Sequence, residues 1–360
     1  MRIPCSVLAT VLLAGCVWNL GEEQAGRSRP GEVVDDCVVP MPEELDGWGA
    51  PSSLEYPDRS LWIWVEATAA DGTAERNVGA FVSSAAGACR GELDFVTDAR
   101  GALLPMISLT EEEEEADAAR TDGRHTQLAL TGGFVHGGAA YAYYQKILAG
   151  PGFFDAVVLG TGVCRIAAAG EACLRTTTGR YPEEPTLLWL QDRRPMNRGA
   201  FVSSDGYAYL WGCLHAAAFS DPCSVARVRP DEADDPSAYR FAGWDGGWIE
   251  DGGNAASIFE SSGALTPGHN GFLDRYTAVV PNIWDSTIEL RRADGPAGHY
   301  DEPVRLFDAV PPDDWFIGGG IEHAALAQDG GRTIAVSYYT NATGPEQGLH
   351  LVTFRFAEGG

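Results

Sequence analysis

Apolar and polar positions alternate along this chain in short bursts bounded by Gly, Asp, Asn and Pro. Leu61-Trp62-Ile63-Trp64-Val65 and Leu187-Leu188-Trp189-Leu190-Gln191 are compact apolar runs. Ala139 to Tyr144 carries aromatics at alternate positions, and Asp205-Gly206 turns into the segment Tyr207 to Gly212. The segments Arg275 to Val280 and Ser286 to Arg291 flank Asn282, Trp284 and Asp285 like the arms of a hairpin. Arg332 to Tyr339 and Leu349 to Phe356 form a last pair. Short β-branched and aromatic segments between turn residues predict strands and an all-β class. One short inserted helix is expected where Thr110 precedes Glu111 to Glu115, because Thr caps well and acids in the first turn suit the helix dipole. A solvated helix between strands is the reading of that acidic run, with calcium binding as its alternative.

The chain also repeats itself. Asn77-Val78-Gly79-Ala80-Phe81-Val82-Ser83-Ser84 returns as Asn197-Arg198-Gly199-Ala200-Phe201-Val202-Ser203-Ser204. Each copy follows one of the two apolar runs, and each run ends at an acid, Glu66 or Asp192. A four-stranded propeller blade takes roughly 40–50 residues before long loops are added, so this separation suits two blades. Residues 41–360 then divide into five blades of about 64 residues, which predicts a five-bladed β-propeller. The two runs are read as innermost strands of non-adjacent blades.

Composition supports a folded domain: 45% of the 360 residues are hydrophobic, 10% are aromatic, and 44 glycines supply turns. The net charge of −26 argues against a phosphate-backbone partner, so no nucleic acid is expected. Lys146 is the sole lysine among 25 basic residues, a bias that fits either a GC-rich gene or a salt-adapted surface.

Residues 1–15 have a basic start and an apolar core too short to span a bilayer, the signature of a signal peptide. Leu13-Ala14-Gly15-Cys16 resembles the bacterial lipoprotein lipobox, which implies lipidation of Cys16 and a membrane contact through the lipid anchor only. Val17 after the cysteine, by the same resemblance, leans toward the outer membrane. Loss of Arg2 with the leader makes the chain one unit more acidic. Residues 16–40 read as lipidated cysteine and flexible tether, and 41–360 as the propeller. Six cysteines remain for an oxidising compartment: Cys37, Cys89, Cys164, Cys173, Cys213 and Cys223. Six allow fifteen pairings; short separations favour Cys164–Cys173 and Cys213–Cys223, leaving Cys37–Cys89.

From about residue 197 a series of segments becomes familiar: Ala226-Arg227-Val228, Ser237 to Phe241, Gly243-Trp244-Asp245-Gly246-Gly247-Trp248, His269 to Tyr276, Ile288 to Ala293, Glu322-His323, and Gly331 to Tyr338. In order and spacing they resemble the DUF4185 family, five-bladed propellers akin to furanosidase-type glycoside hydrolases, over roughly residues 55–356. The resemblance implies a glycan substrate or ligand; some members cleave arabinans. Two departures stand out. Val65-Glu66-Ala67-Thr68 replaces the family's Gly-Asp-Thr, and Gly298-His299-Tyr300-Asp301 replaces its Gly-Pro-Trp-Ser.

In a propeller, acids at the ends of innermost strands converge on one funnel. Glycoside hydrolysis needs two carboxyl groups, one to protonate the leaving oxygen and one to activate water or attack the sugar. Glu66 and Asp192 are the first candidates, with turn capping as the alternative. Glu322 and His323 are added because the matching His of the family lies at the funnel; a structural His is the alternative. Candidate binding residues are Asn77, Asn197, Arg198, Asn270, Trp244 and Trp248. For the asparagines turn closure competes with that role, and for the tryptophans blade packing does. No G-x-S-x-G or H-E-x-x-H segment occurs, and Thr131-Gly132-Gly133 lacks the context of a phosphate loop. The expectation is a monomer without cofactor or metal that hydrolyses an extracellular glycan. The alternative is a non-catalytic glycan- or protein-binding propeller.

Overall fold

The computed structural model describes residues 30–42, 45–69, 74–150, 155–191, 197–213, 221–261, 265–313, 317–342 and 344–358. The first strand, β1 (Gly31–Val38), belongs to the last blade. Blade I holds β2 (Leu45–Trp48), β3 (Ser52–Glu55), β4 (Ser60–Ala69), β5 (Ala74–Val82) and β6 (Asp94–Phe95), with helix α1 (Ala85–Cys89) between the last two. Helix α2 (Glu111–Ala118) leads to blade II, which has β7 (His125–His136), β8 (Ala139–Ala149), β9 (Val157–Ile166), β10 (Leu174–Arg175) and β11 (Leu187–Leu190). Blade III has β12 (Asn197–Val202), β13 (Ala208–Cys213), β14 (Asp221–Val228), β15 (Arg240–Ala242), β16 (Trp248–Ile249) and β17 (Phe259–Ser261). Blade IV has β18 (Thr266–Asn270), β19 (Arg275–Asn282), β20 (Thr287–Ala293) and β21 (Val304–Asp308). Blade V has β22 (Gly318–Glu322), β23 (Thr333–Thr340) and β24 (Gly348–Phe356), and β1 completes it by pairing with β24. The five-bladed propeller and the short helix at Thr110 are therefore as expected.

Side-chain alternation explains why the blades stack. On β4, Leu61 and Ile63 enter a core shared with Leu128 and Tyr144 of blade II. The intervening Trp62 and Trp64 enter one shared with Ala335 and Leu351 of blade V. The second strands of the other blades behave alike, with Tyr143 against Leu210, Trp211 against Ala278, and Val279 against Val336. A strand buried on both faces reads as an unbroken apolar run, and each fully buried side chain contributes roughly 1.5–3 kcal/mol.

This corrects the placement of the repeat. The run Leu61 to Val65 lies in the second strand of blade I, and Leu187 to Leu190 lies at the outer side of blade II, paired with β9. The two copies of the octapeptide also differ in place: β5 is the third strand of its blade, whereas β12 is innermost. The innermost strands are instead β3, β7, β12, β18 and β22, each touching the next around the axis. They are rich in Ser, Thr and Gly because they crowd together there. A Cβ on Gly199 of β12 would fall 2.4 Å from Pro267 Cδ of β18, so glycine permits that approach.

All three expected disulfides form: Cys37–Cys89, Cys164–Cys173 and Cys213–Cys223.

Candidate functional site

The innermost strands enclose a cavity of about 400 Å³ on the propeller axis. Its wall is built from hydroxyls (Ser52, Ser53, Thr131, Ser203, Ser204, Thr266), glycines and alanines, an aromatic side with Phe134, Phe201 and Tyr276, and His269. One carboxylate joins this wall, Glu55 at the end of β3.

Glu55 ties blade I to blade V. Its Oε2 accepts from the Ala325 N–H at 2.7 Å, and its Oε1 accepts from Ser60 Oγ at 3.0 Å. Burial raises its proton affinity, and these bonds, with one from Ser53, act in the opposite sense. Glu322, the last residue of β22, is 9% exposed and is not in the cavity wall. Its backbone N–H donates to Thr266 Oγ1 at 3.1 Å. Burial, and then the charge of Glu55, push its carboxyl up to about 7. The two carboxyls thus form an electrostatically coupled pair at the seam of blades V and I.

His323 is fully buried behind this pair. Its Nε2 meets Ser337 Oγ at 2.8 Å, and its ring stacks on Trp62 with centroids 4.3 Å apart. Burial lowers its pKa to about 3, so the ring is neutral, and its Nδ1 is buried without a hydrogen-bond partner. Its geometry is that of a packed, neutral histidine next to the site, not of a group in the cavity.

The other expected residues scatter. Glu66 pairs through its backbone with Arg76 on β4, and only that backbone lies within the described residues. Its strand is the second of the blade, which removes the premise that it follows an innermost strand. Asp192 and Cys16 lie outside the described residues, as do the side chains of Asn197 and Arg198, whose backbone opens β12. Asn77 is buried in β5 with a φ of 54° and an unpartnered Oδ1; its carbonyl accepts from the Met106 N–H at 2.9 Å. Asn270 closes structure: its Nδ2 donates to the Gly331 carbonyl at 2.8 Å, and its Oδ1 accepts from the Leu273 N–H at 3.0 Å. Trp248 packs beneath the Arg227 guanidinium at 4.1 Å, whereas Trp244 is 75% exposed. Glu55 was missed by sequence reasoning. Its signal, a four-residue Ser-Ser-Leu-Glu strand ahead of a Tyr-Pro turn, was too short to stand out.

No family model matches the chain, and no curated protein matches it. Solved structures do match. A protein from Bacteroides ovatus named as a candidate hydrolase superposes with a TM-score of 0.55 and 13% identity, over 86% of each chain. The GH43_1 enzyme from Xanthomonas citri complexed with xylotriose gives 0.50 and 14% identity, over 89% of this chain and 90% of its own. A family 117 glycoside hydrolase from the marine bacterium Zobellia galactanivorans gives 0.48 and 11% identity, over 91% of each. At such identities the likeness is one of fold: the chain has the architecture of glycoside hydrolase propellers.

Proposed function

We propose that this chain is an exported, Cys16-anchored bacterial lipoprotein whose axial cavity binds a glycan and hydrolyses one of its glycosidic bonds. The reading keeps the DUF4185-like resemblance as its family expectation. One observation carries it: the coupled carboxyls Glu55 and Glu322 at a sugar-sized cavity, with one of them holding a proton near neutral pH.

Two carboxyls in close range cannot both ionise freely, so the pair keeps one proton and one negative charge near pH 7. Glu55, in the wall, touches the sugar and delivers the proton to the leaving oxygen. Glu322 is a positioning residue that sets the charge of Glu55 from behind. The second carboxylate of the hydrolysis is assigned to Asp192, shortly ahead of the innermost strand of blade III. The hydroxyl-rich and aromatic walls suit a sugar ring, which has polar edges and apolar faces. The GH43_1 enzyme complexed with xylotriose makes xylan and arabinan fragments the first substrates to test.

The test is turnover of a glycan panel by wild type, Glu55→Gln, Glu322→Gln and Asp192→Asn. Loss of a proton-transferring carboxyl typically costs about 10²–10⁴ in rate, and that is the expectation for Glu55→Gln. Glu322→Gln should displace the pH–rate profile with a smaller loss. Turnover in Glu55→Gln equal to wild type would falsify the assignment. The placement of the Glu322 carboxyl behind the wall favours a second reading, a non-catalytic glycan-binding propeller. Glycan affinity without cleavage by the wild-type protein would establish it.

A further inference from the structure

We propose that blade III carries a ledge that binds the part of a linear glycan lying outside the axial cavity. The inference rests on reading that cavity as a glycan site, and it extends the ligand class from a single sugar to a chain.

The ledge begins in the cavity wall. Ser203 and Ser204 belong to that wall, and the turn they open ends at Tyr207. The turn is fixed: the Ser203 N–H donates to the Tyr207 carbonyl at 2.9 Å, the Gly206 N–H to the Ser203 carbonyl at 3.0 Å, and the Tyr207 N–H to Asp205 Oδ1 at 3.1 Å. From Tyr207 outward, rings and guanidinium groups alternate. Arg229 lies 3.9 Å from the Tyr207 ring, Arg227 lies 4.4 Å from the same ring, and Arg227 lies 4.1 Å from Trp248. A second aromatic path returns to the cavity through Tyr209, 5.9 Å from Trp248, and Phe201, 6.2 Å from Tyr209.

Beyond Trp248, the same hairpin presents Trp244 with three quarters of its surface in solvent. The exposure is built in, because hydrogen bonds hold the turn. The Gly243 N–H donates to the Gly247 carbonyl at 2.8 Å, and the Gly247 N–H donates to Asp245 Oδ1 at 2.9 Å. Flat aromatic surfaces cover the C–H faces of sugar rings, and guanidinium groups donate to their oxygens. The occupant that fits all of this is a linear polysaccharide. One end of it enters the cavity past Ser203 and Ser204, and the following sugars lie along Tyr207, Arg229 and Trp244.

The experiment compares wild type with Trp244→Ala and Arg229→Ser, two exposed positions whose substitution leaves the core intact, with melting curves as the check on folding. Affinity gels containing soluble xylan, arabinan or linear β-glucan measure polymer binding. Hydrolysis of the corresponding trisaccharides measures the cavity alone. Retardation of wild type by at least one polymer is expected, with binding about tenfold weaker in each variant, a factor equivalent to ~1.4 kcal/mol. Trisaccharide kcat and KM should not change. Variants that bind polymer as wild type does, or a wild type that none of the polymers retards, would overturn the ledge. The two proposals fail separately. Ledge-dependent polymer binding without any cleavage removes hydrolysis and keeps the ledge. Trisaccharide cleavage with polymer binding indifferent to both substitutions removes the ledge and keeps hydrolysis.

Discussion

Glu322 and His323 are adjacent buried titratable residues whose effects on stability run in opposite directions. The Glu322 carboxyl binds its proton more tightly folded than unfolded, moving from 4.5 to about 7. The native state therefore holds more protons than the unfolded one in that window, and stability falls as pH rises through it. His323 moves the other way, from 6.5 to about 3, so the unfolded state holds more protons and stability rises with pH across that window. Between about 4.5 and 6.5 the two slopes oppose each other. Thermal melting of Glu322→Gln from pH 4.5 to 6.5 should rise with pH, and that of His323→Gln should fall. Parallel profiles for the two variants would show that neither titration is coupled to folding as described.

At the scale of elements, helix α2 shows how a polar segment is held without a buried apolar face. None of its residues is buried, yet Glu113 fixes it to blade II. The Glu113 carboxylate receives Lys146 Nζ at 2.7 Å and Arg175 Nη2 at 2.8 Å, and it also closes the capping box with Thr110. Burial alone would push its pKa up; hydrogen bonds from Arg175 and Lys146 bring it down to about 2. Lys146 also meets Glu184 at 2.6 Å, so the chain's sole lysine is a structural tie. Glu113→Ala leaves Lys146 and Arg175 short of a partner, and removing one member of a buried ion pair costs about 3–5 kcal/mol. Urea unfolding should show a loss of that order, and a midpoint unchanged from wild type would mean that α2 is not clasped by this residue.

The whole molecule closes through its N-terminal strand. β1 adds the outermost strand of blade V, and Cys37 within it is bonded to Cys89 at the end of α1 in blade I. His350 of β24 also meets Asp36 of β1 at 3.2 Å. The disulfide therefore staples the two blades that meet at the ring's seam, beside Glu55 and Glu322. For its separation of 52 residues, chain entropy predicts roughly 4 kcal/mol of stabilisation. A Cys37→Ser/Cys89→Ser variant should unfold at lower temperature, and glycan turnover should weaken because the Glu55–Ala325 bond crosses the same seam. Equal melting temperatures for variant and wild type would rule out the staple.

The sequence by itself determined the kind of element, the number of blades, the capped helix and the disulfide partners. Each depends on local pattern: an unbroken apolar run, Thr ahead of glutamates, or cysteines a few residues apart. Those runs marked the second strands of the blades, because only strands buried on both faces are apolar throughout. The innermost strands face a polar cavity on a crowded axis, so they are short and rich in Gly, Ser and Thr, and they resemble loops in sequence. Tertiary structure alone decided which acids meet. Glu55 and Glu322 stand far apart in the chain and become neighbours because the ring closes blade V onto blade I. An identical octapeptide could sit in the third strand of one blade and the first of another because blade position depends on packing partners that a local repeat does not encode.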